Sequence, residues 1–180
     1  MKAILLSTSF LILSISTIFA QNNSYASSSS SQQAEAKFEG KTPMPFQAFD
    51  MEGKTHFLPE YKGRVVVIAF WAAGDEVSRN QIKSLNRLKK DFNAKDLAII
   101  SLAQEDKTDL VSFLKNNSVD YPVIPNSNPL GEAGYGNELG TSRIFVLDRA
   151  GVVQKVMVSE QEEEMETYQT LKPFIQQLMN

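Results

Sequence analysis

Two stretches of this chain are apolar almost without interruption: Val65 to Trp71, and Leu97 to Leu102 broken only by Ser101. Both are rich in β-branched or branched aliphatic residues and short, which marks strands covered on both faces. Between them Ile82, Leu85, Leu88 and Phe92 step by three and four, so one side of a helix is buried there. Lys83, Arg87, Lys89 and Lys90 take the other side and the last turns, where cations suit the helix dipole. A second helix is predicted around Leu110, Val111, Phe113 and Leu114, capped by Asp106 or Thr108. Tyr121 to Ile124 reads as a short extended piece and Leu130 to Tyr135 as a short helix. Ile144–Leu147 and Val152–Val158 flank Asp148-Arg149-Ala150-Gly151, which predicts a hairpin with a turn glycine. Met165, Tyr168, Leu171, Phe174, Ile175 and Leu178 predict a closing helix, with a kink or a late start at Pro173.

Upstream, Pro43-Met44-Pro45-Phe46 gives an extended entry. Phe46 and Ala48, a turn at Glu52-Gly53, and Thr55-His56-Phe57 predict a first hairpin, followed by a turn over Leu58 to Gly63. The order is a β-hairpin, then β-α-β-α, then a β-hairpin and a helix. Right-handed crossovers between parallel strands place helices on both faces of one sheet. The pattern therefore predicts an α/β, thioredoxin-like fold: a central mixed sheet, helices on both faces and an N-terminal hairpin.

The first 37 residues lie outside that pattern. Lys2 followed by an apolar stretch from Ala3 to Ala20 reads as a signal peptide, residues 1–20, with cleavage after Ala20 or after Ala26. An uncleaved anchor is the competing reading, the stretch being about 18 residues and at the low edge for spanning. Residues 21–37, rich in Ser, Gln and Asn, read as a disordered linker, and residues 38–180 as the folded domain. An exported protein residing in the periplasm or cell envelope is expected, attached to the membrane only if the N-terminal segment is kept.

Composition changes this picture in one respect. The chain has 180 residues, a formal net charge of −3 and no cysteine. The mild charge gives no reason to expect a nucleic-acid partner. Export makes the missing cysteine informative, because oxidising compartments are where disulfides persist. The protein gains no stability from disulfides and cannot be trapped in mixed disulfides.

The segment Val65-Val66-Val67-Ile68-Ala69-Phe70-Trp71-Ala72-Ala73-Gly74-Asp75-Glu76-Val77-Ser78-Arg79-Asn80-Gln81 resembles the FWAxWCxxC segment of thioredoxin-fold proteins of the TlpA/ResA-like branch. Asp50-Met51-Glu52-Gly53-Lys54, Tyr61-Lys62-Gly63-Arg64-Val65-Val66 and Leu139 to Asp148 are similar to the same redoxins and to the AhpC/TSA-related peroxiredoxins. The resemblance implies a thiol–disulfide oxidoreductase with two cysteines, a cis-proline opposite them and a nearby proton-relay carboxylate. In this register the cysteine positions are Asp75 and Ser78, the proline position is Ser142, and the carboxylate positions are Gln81 and Ala69. A disulfide exchange needs a thiolate, so no catalytic residue of the family remains. Asp75 would cap the helix that a cysteine thiolate otherwise begins. A proline-free bond before Ser142 would be trans, because a cis bond there costs about 2.5–4 kcal/mol.

The expectation is thus a redox-inactive module that binds another envelope protein or a peptide through the former active-site face: Trp71, Ala73, Gly74, Asp75, Glu76 and Ser142. The rival reading keeps the family's oxidoreductase role in envelope redox homeostasis. No cofactor and no metal are expected. His56, the only histidine, has no second histidine or cysteine beside it in sequence and is not expected to act as a ligand or a base. Glu162-Glu163-Glu164 reads as the acidic start of the last helix.

Overall fold

The computed structural model describes residues 37–136, 142–159 and 166–180. The segments expected to be a signal peptide and a linker, up to residue 36, the acidic run Glu162 to Glu164, and Met165 lie outside the described residues. Strands β1 (Gln47–Phe49) and β2 (Thr55–Phe57) form a separate antiparallel hairpin. Strand β3 (Val65–Trp71) leads into α1 (Glu76–Asp91), then β4 (Leu97–Ala103), α2 (Lys107–Asn116) and β5 (Val123–Ile124). Strands β6 (Ser142–Leu147) and β7 (Val153–Ser159) and helix α3 (Glu166–Met179) complete the domain. The main sheet runs β5-β4-β3-β6-β7. β3 pairs in parallel with β4 and antiparallel with β6, so the sheet is mixed.

Every residue of β3 and β4 is buried, as their uniform apolarity requires. Alternation divides the core. Val65, Val67, Ala69, Leu97, Ile99, Ile144 and Val146 pack under Leu85 and Leu88 of α1 and Leu171 and Ile175 of α3. On the opposite face Val66, Ile68, Phe70, Ile100, Leu102, Phe145 and Leu147 meet Phe46, Leu58 and Tyr135. Those come from the hairpin side, from a 3₁₀ turn at Leu58–Tyr61 and from a helical segment over Asn128–Leu130 and Gly131–Tyr135. The two long helices α1 and α3 therefore share one face, while short helical turns and the hairpin cover the other. A third cluster at the C-terminal strand ends joins Trp71 and Ala103 to Ile82 of α1 and Leu110 of α2. Burying a large apolar side chain in such layers contributes about 1.5–3 kcal/mol each.

Helix α1 starts where Asp75, in extended conformation, accepts from the N–H groups of Val77 and Ser78. It stops at Phe92, also extended, whose N–H reaches back to Leu88. Its last residue docks α3: Asp91 accepts from the Tyr168 hydroxyl at 2.6 Å and from Lys172 at 2.8 Å. Of the two candidate caps for α2, Asp106 is the one used, accepting from Asp109 N–H at 3.0 Å. The late start at Pro173 does not occur; α3 runs from Glu166 through that proline. The β6–β7 turn is closed by Asp148, which accepts from the N–H groups of Ala150 and Val152, with Gly151 at φ +84°.

Candidate functional site

At the C-terminal ends of β3 and β4, the chain leaves Trp71, crosses Ala72-Ala73-Gly74 and enters α1. This crossing is where an open α/β sheet presents its ligands. Four hydrogen bonds fix it. Ala72 N–H donates to Ser78 Oγ at 3.1 Å, and Ala73 N–H donates to Glu105 Oε1 at 2.7 Å. Arg79 Nη1 donates to the Ala73 carbonyl at 3.3 Å, and Asp75 N–H donates to the Ala72 carbonyl at 3.2 Å. Glu105 lies two residues past the end of β4, and Trp71 faces Ala103 in the ladder, so parallel pairing delivers this carboxylate to the loop.

Asp75, Ser78 and Ser142 come together here. Asp75 Oδ2 accepts from Ser78 N–H at 2.9 Å and from Ser78 Oγ at 2.7 Å, and lies 3.0 Å from Ser142 Oγ. The two serine oxygens are 2.6 Å apart. Three short oxygen–oxygen edges thus share only two hydroxyl protons, because an ionised carboxylate donates none. The Ser78 hydroxyl donates to Asp75, and the Ser142 hydroxyl is shared between Asp75 and Ser78 Oγ. Ser78 Oγ also accepts from Ala72 N–H.

Ser78 is fully buried and Ser142 is 3% exposed. Burial pushes the Asp75 carboxyl up, but the Ser78 hydroxyl and N–H, the Ser142 hydroxyl and the Val77 N–H outweigh it and hold the group below the usual aspartate value. Asp75 is therefore ionised at neutral pH, at a helix N-terminus that favours a negative charge. No thiol stands at any of these positions. The cluster stores a proton donor and acceptor set that is satisfied internally, with no nucleophile presented to solvent.

Of the residues expected to line a binding face, Gly74 and Glu76 are exposed, and Ala73 and Asp75 are partly exposed. Trp71 is not at that surface: it is 0% exposed, tilted against Phe113 with ring centroids 5.3 Å apart. It supports the face from beneath, because β3 is buried along its entire length. Ser142 likewise lies below the rim. The peptide bond that precedes Ser142 involves Thr141, outside the described residues, so the expectation of a trans bond falls outside them too. Gln81, expected at the family's relay position, is 1% exposed, and neither end of its amide has a hydrogen-bond partner among the described residues. Glu105 and Arg79 are the site residues that the sequence reading missed. A carboxylate two residues past a buried parallel strand was the available signal for the first.

The chain's relatives agree with this fold. The AhpC/TSA family profile matches residues 37–156. The thiol-disulfide oxidoreductase ResA of Bacillus thuringiensis subsp. konkukian is 30% identical over 139 residues, spanning 74% of this chain and 79% of that protein. The thioredoxin-like protein YneN of Bacillus subtilis is 24% identical over 124 residues, spanning 67% and 71%. A solved structure from Chlorobium tepidum, described as a thiol:disulfide interchange protein DsbE, superposes with a TM-score of 0.69 at 21% identity, covering 79% of this chain and 98% of that one. It shows the thioredoxin-like fold. With the family profile, the ResA-like sequences and the thioredoxin-like sheet in agreement, the chain belongs to the AhpC/TSA family, as a degenerate, cysteine-free member.

Proposed function

We propose that this is an exported thioredoxin-like protein without thiol redox activity, which binds another envelope protein or peptide through the former active-site face. The observation that carries the reading is a hydrogen-bonded Asp75–Ser78 pair, closed by Ser142, at the two positions where the resemblance puts the family's cysteines. Such a pair keeps the loop and helix start in place while removing the nucleophile. With Trp71 buried, the face consists of Ala73, Gly74, Asp75 and Glu76 at the rim, held by Glu105 and Arg79. The apolar segment from Ala3 to Ala20 supports export, and no helix among the described residues is long and apolar enough to cross a membrane.

The test is affinity capture from an envelope extract with residues 21–180 as bait, compared with a variant altered only at the rim. Gly74→Arg suits this purpose. A Cβ added at Gly74 meets no atom within 4 Å, so a side chain can leave the backbone there and block the face while the fold is kept. A protein held by the native bait and lost by Gly74→Arg supports the reading. A protein held equally by both puts the binding surface elsewhere. Reduction of insulin disulfides by the pure chain would restore the family's oxidoreductase role.

A further inference from the structure

The N-terminal hairpin carries a second polar chain, built from Asp50, His56 and Tyr61. Asp50 Oδ1 accepts the backbone N–H groups of Glu52 and Lys54, each at 2.9 Å. That leaves Oδ2 for His56 Nε2 at 2.7 Å. Asp50 is 7% exposed and His56 2%. Burial raises the Asp50 carboxyl, yet His56 and the two N–H groups hold it below the usual value, so it is ionised and can only accept. In the neutral imidazole that donates from Nε2 to Asp50, Nδ1 is left to accept, and it meets the Tyr61 hydroxyl.

Carboxylate, imidazole and hydroxyl stand in the order by which an imidazole takes the proton of an attacking oxygen. Tyr61 is half-exposed and forms part of the wall of an apolar pocket of about 190 Å³ with Pro43, Pro45, Leu58, Val66 and Leu147. The Arg64 guanidinium lies 4.6 Å from the centre of the Tyr61 ring, where it favours negative charge developing on the phenol. Burial pushes the Tyr61 hydroxyl up, so a free phenolate is scarce and reaction requires a base already in contact.

We propose that Tyr61 is a nucleophile that takes an acyl group from small apolar activated esters, with His56 as its base and Asp50 holding the imidazole. Tyr61 Oη attacks the ester carbonyl carbon as its proton passes to His56 Nδ1. The bond from that carbon to the leaving oxygen breaks, and the leaving oxygen takes the proton from Nδ1. The products are an acyl-tyrosine ester and an alcohol or phenol, with no change of oxidation state.

The experiment treats the native chain with 4-nitrophenyl acetate, follows nitrophenolate release and locates the acetyl group by peptide mass analysis. A stoichiometric burst with the acetyl on Tyr61 is expected. Tyr61→Phe, which removes only the hydroxyl, abolishes that burst while its melting temperature shows that the hairpin is intact. His56→Gln slows it by about a hundredfold. Acetyl groups found only on lysines, or spread evenly over the five tyrosines, overturn the proposal. So does a burst unchanged in Tyr61→Phe.

Discussion

Ser78 Oγ and Ser142 Oγ sit 2.6 Å apart although 64 residues separate them. The contact ties the first turn of α1 to the start of β6. Together with Asp75 it makes a closed hydrogen-bond cluster.

Removing Asp75 should therefore cost stability. Asp75→Ala loses the cap of a 16-residue helix and leaves two buried serine hydroxyls short of an acceptor. The expected loss is about 1–2 kcal/mol for the cap with a further contribution of about 1 kcal/mol from the buried hydroxyls. Asp75→Asn keeps a capping oxygen and should lose less. Urea midpoints compared at neutral pH check the order; equal midpoints for both variants and the native chain would refute the capping role.

Acid should weaken the fold through the same residue and through Asp50. Both carboxyls are held below their unfolded value. Their contribution is fully present above the ordinary aspartate pKa of about 3.9 and is lost as pH falls through the lower folded values. A series of unfolding midpoints from neutral pH downward should be flat until that range and then drop. In Asp75→Asn the drop should be shallower.

Restoring the thiols tests how much of the ancestral scaffold survives. In Asp75→Cys/Ser78→Cys, the first cysteine stands at the helix N-terminus, and its thiolate should form below the free-cysteine pKa of about 8.5. The side chains at these two positions already touch, so mild oxidation should close an intramolecular disulfide. Thiol titration and mass analysis decide it: two free thiols after oxidation would mean that the loop no longer holds the required geometry. Insulin reduction by this variant should rise above the native chain's background but stay slow, since Gln81 supplies no relay carboxylate.

Trp71 is a stability residue in this structure. Trp71→Ala should cost about 3–5 kcal/mol, because a fully buried indole on Phe113 is removed. As the chain's single tryptophan, it also reports folding directly. Its emission should be blue-shifted in the native state and move to the red in one step on unfolding. Red emission from the native protein would contradict its burial.

The main sheet was legible in sequence because its signals are local. The apolar run Val65–Trp71 is the strand itself, and the steps from Ile82 to Leu88 mark the buried stripe of α1. The positions of Asp75 and Ser78 at a helix start were legible for the same reason. What escaped was long-range. Ser142 was placed opposite Asp75 and Ser78 only through the family resemblance, and nothing near Ala73 announces Glu105, 32 residues away. His56 looked solitary because its partners Asp50 and Tyr61 reach it only once the hairpin and the 3₁₀ turn are closed. Trp71 was expected to touch a partner, but the strand that carries it is covered on both sides up to its last residue.

Active sites commonly hold strained backbones or unmet polar groups, and so trade stability for turnover. The Asp75–Ser78–Ser142 cluster reverses that relation, since each of its polar groups is answered within the fold. Injury at these positions should surface as lower endurance to heat and protease, and therefore as lower abundance in the cell. A screen that scored only chemical turnover would pass over it.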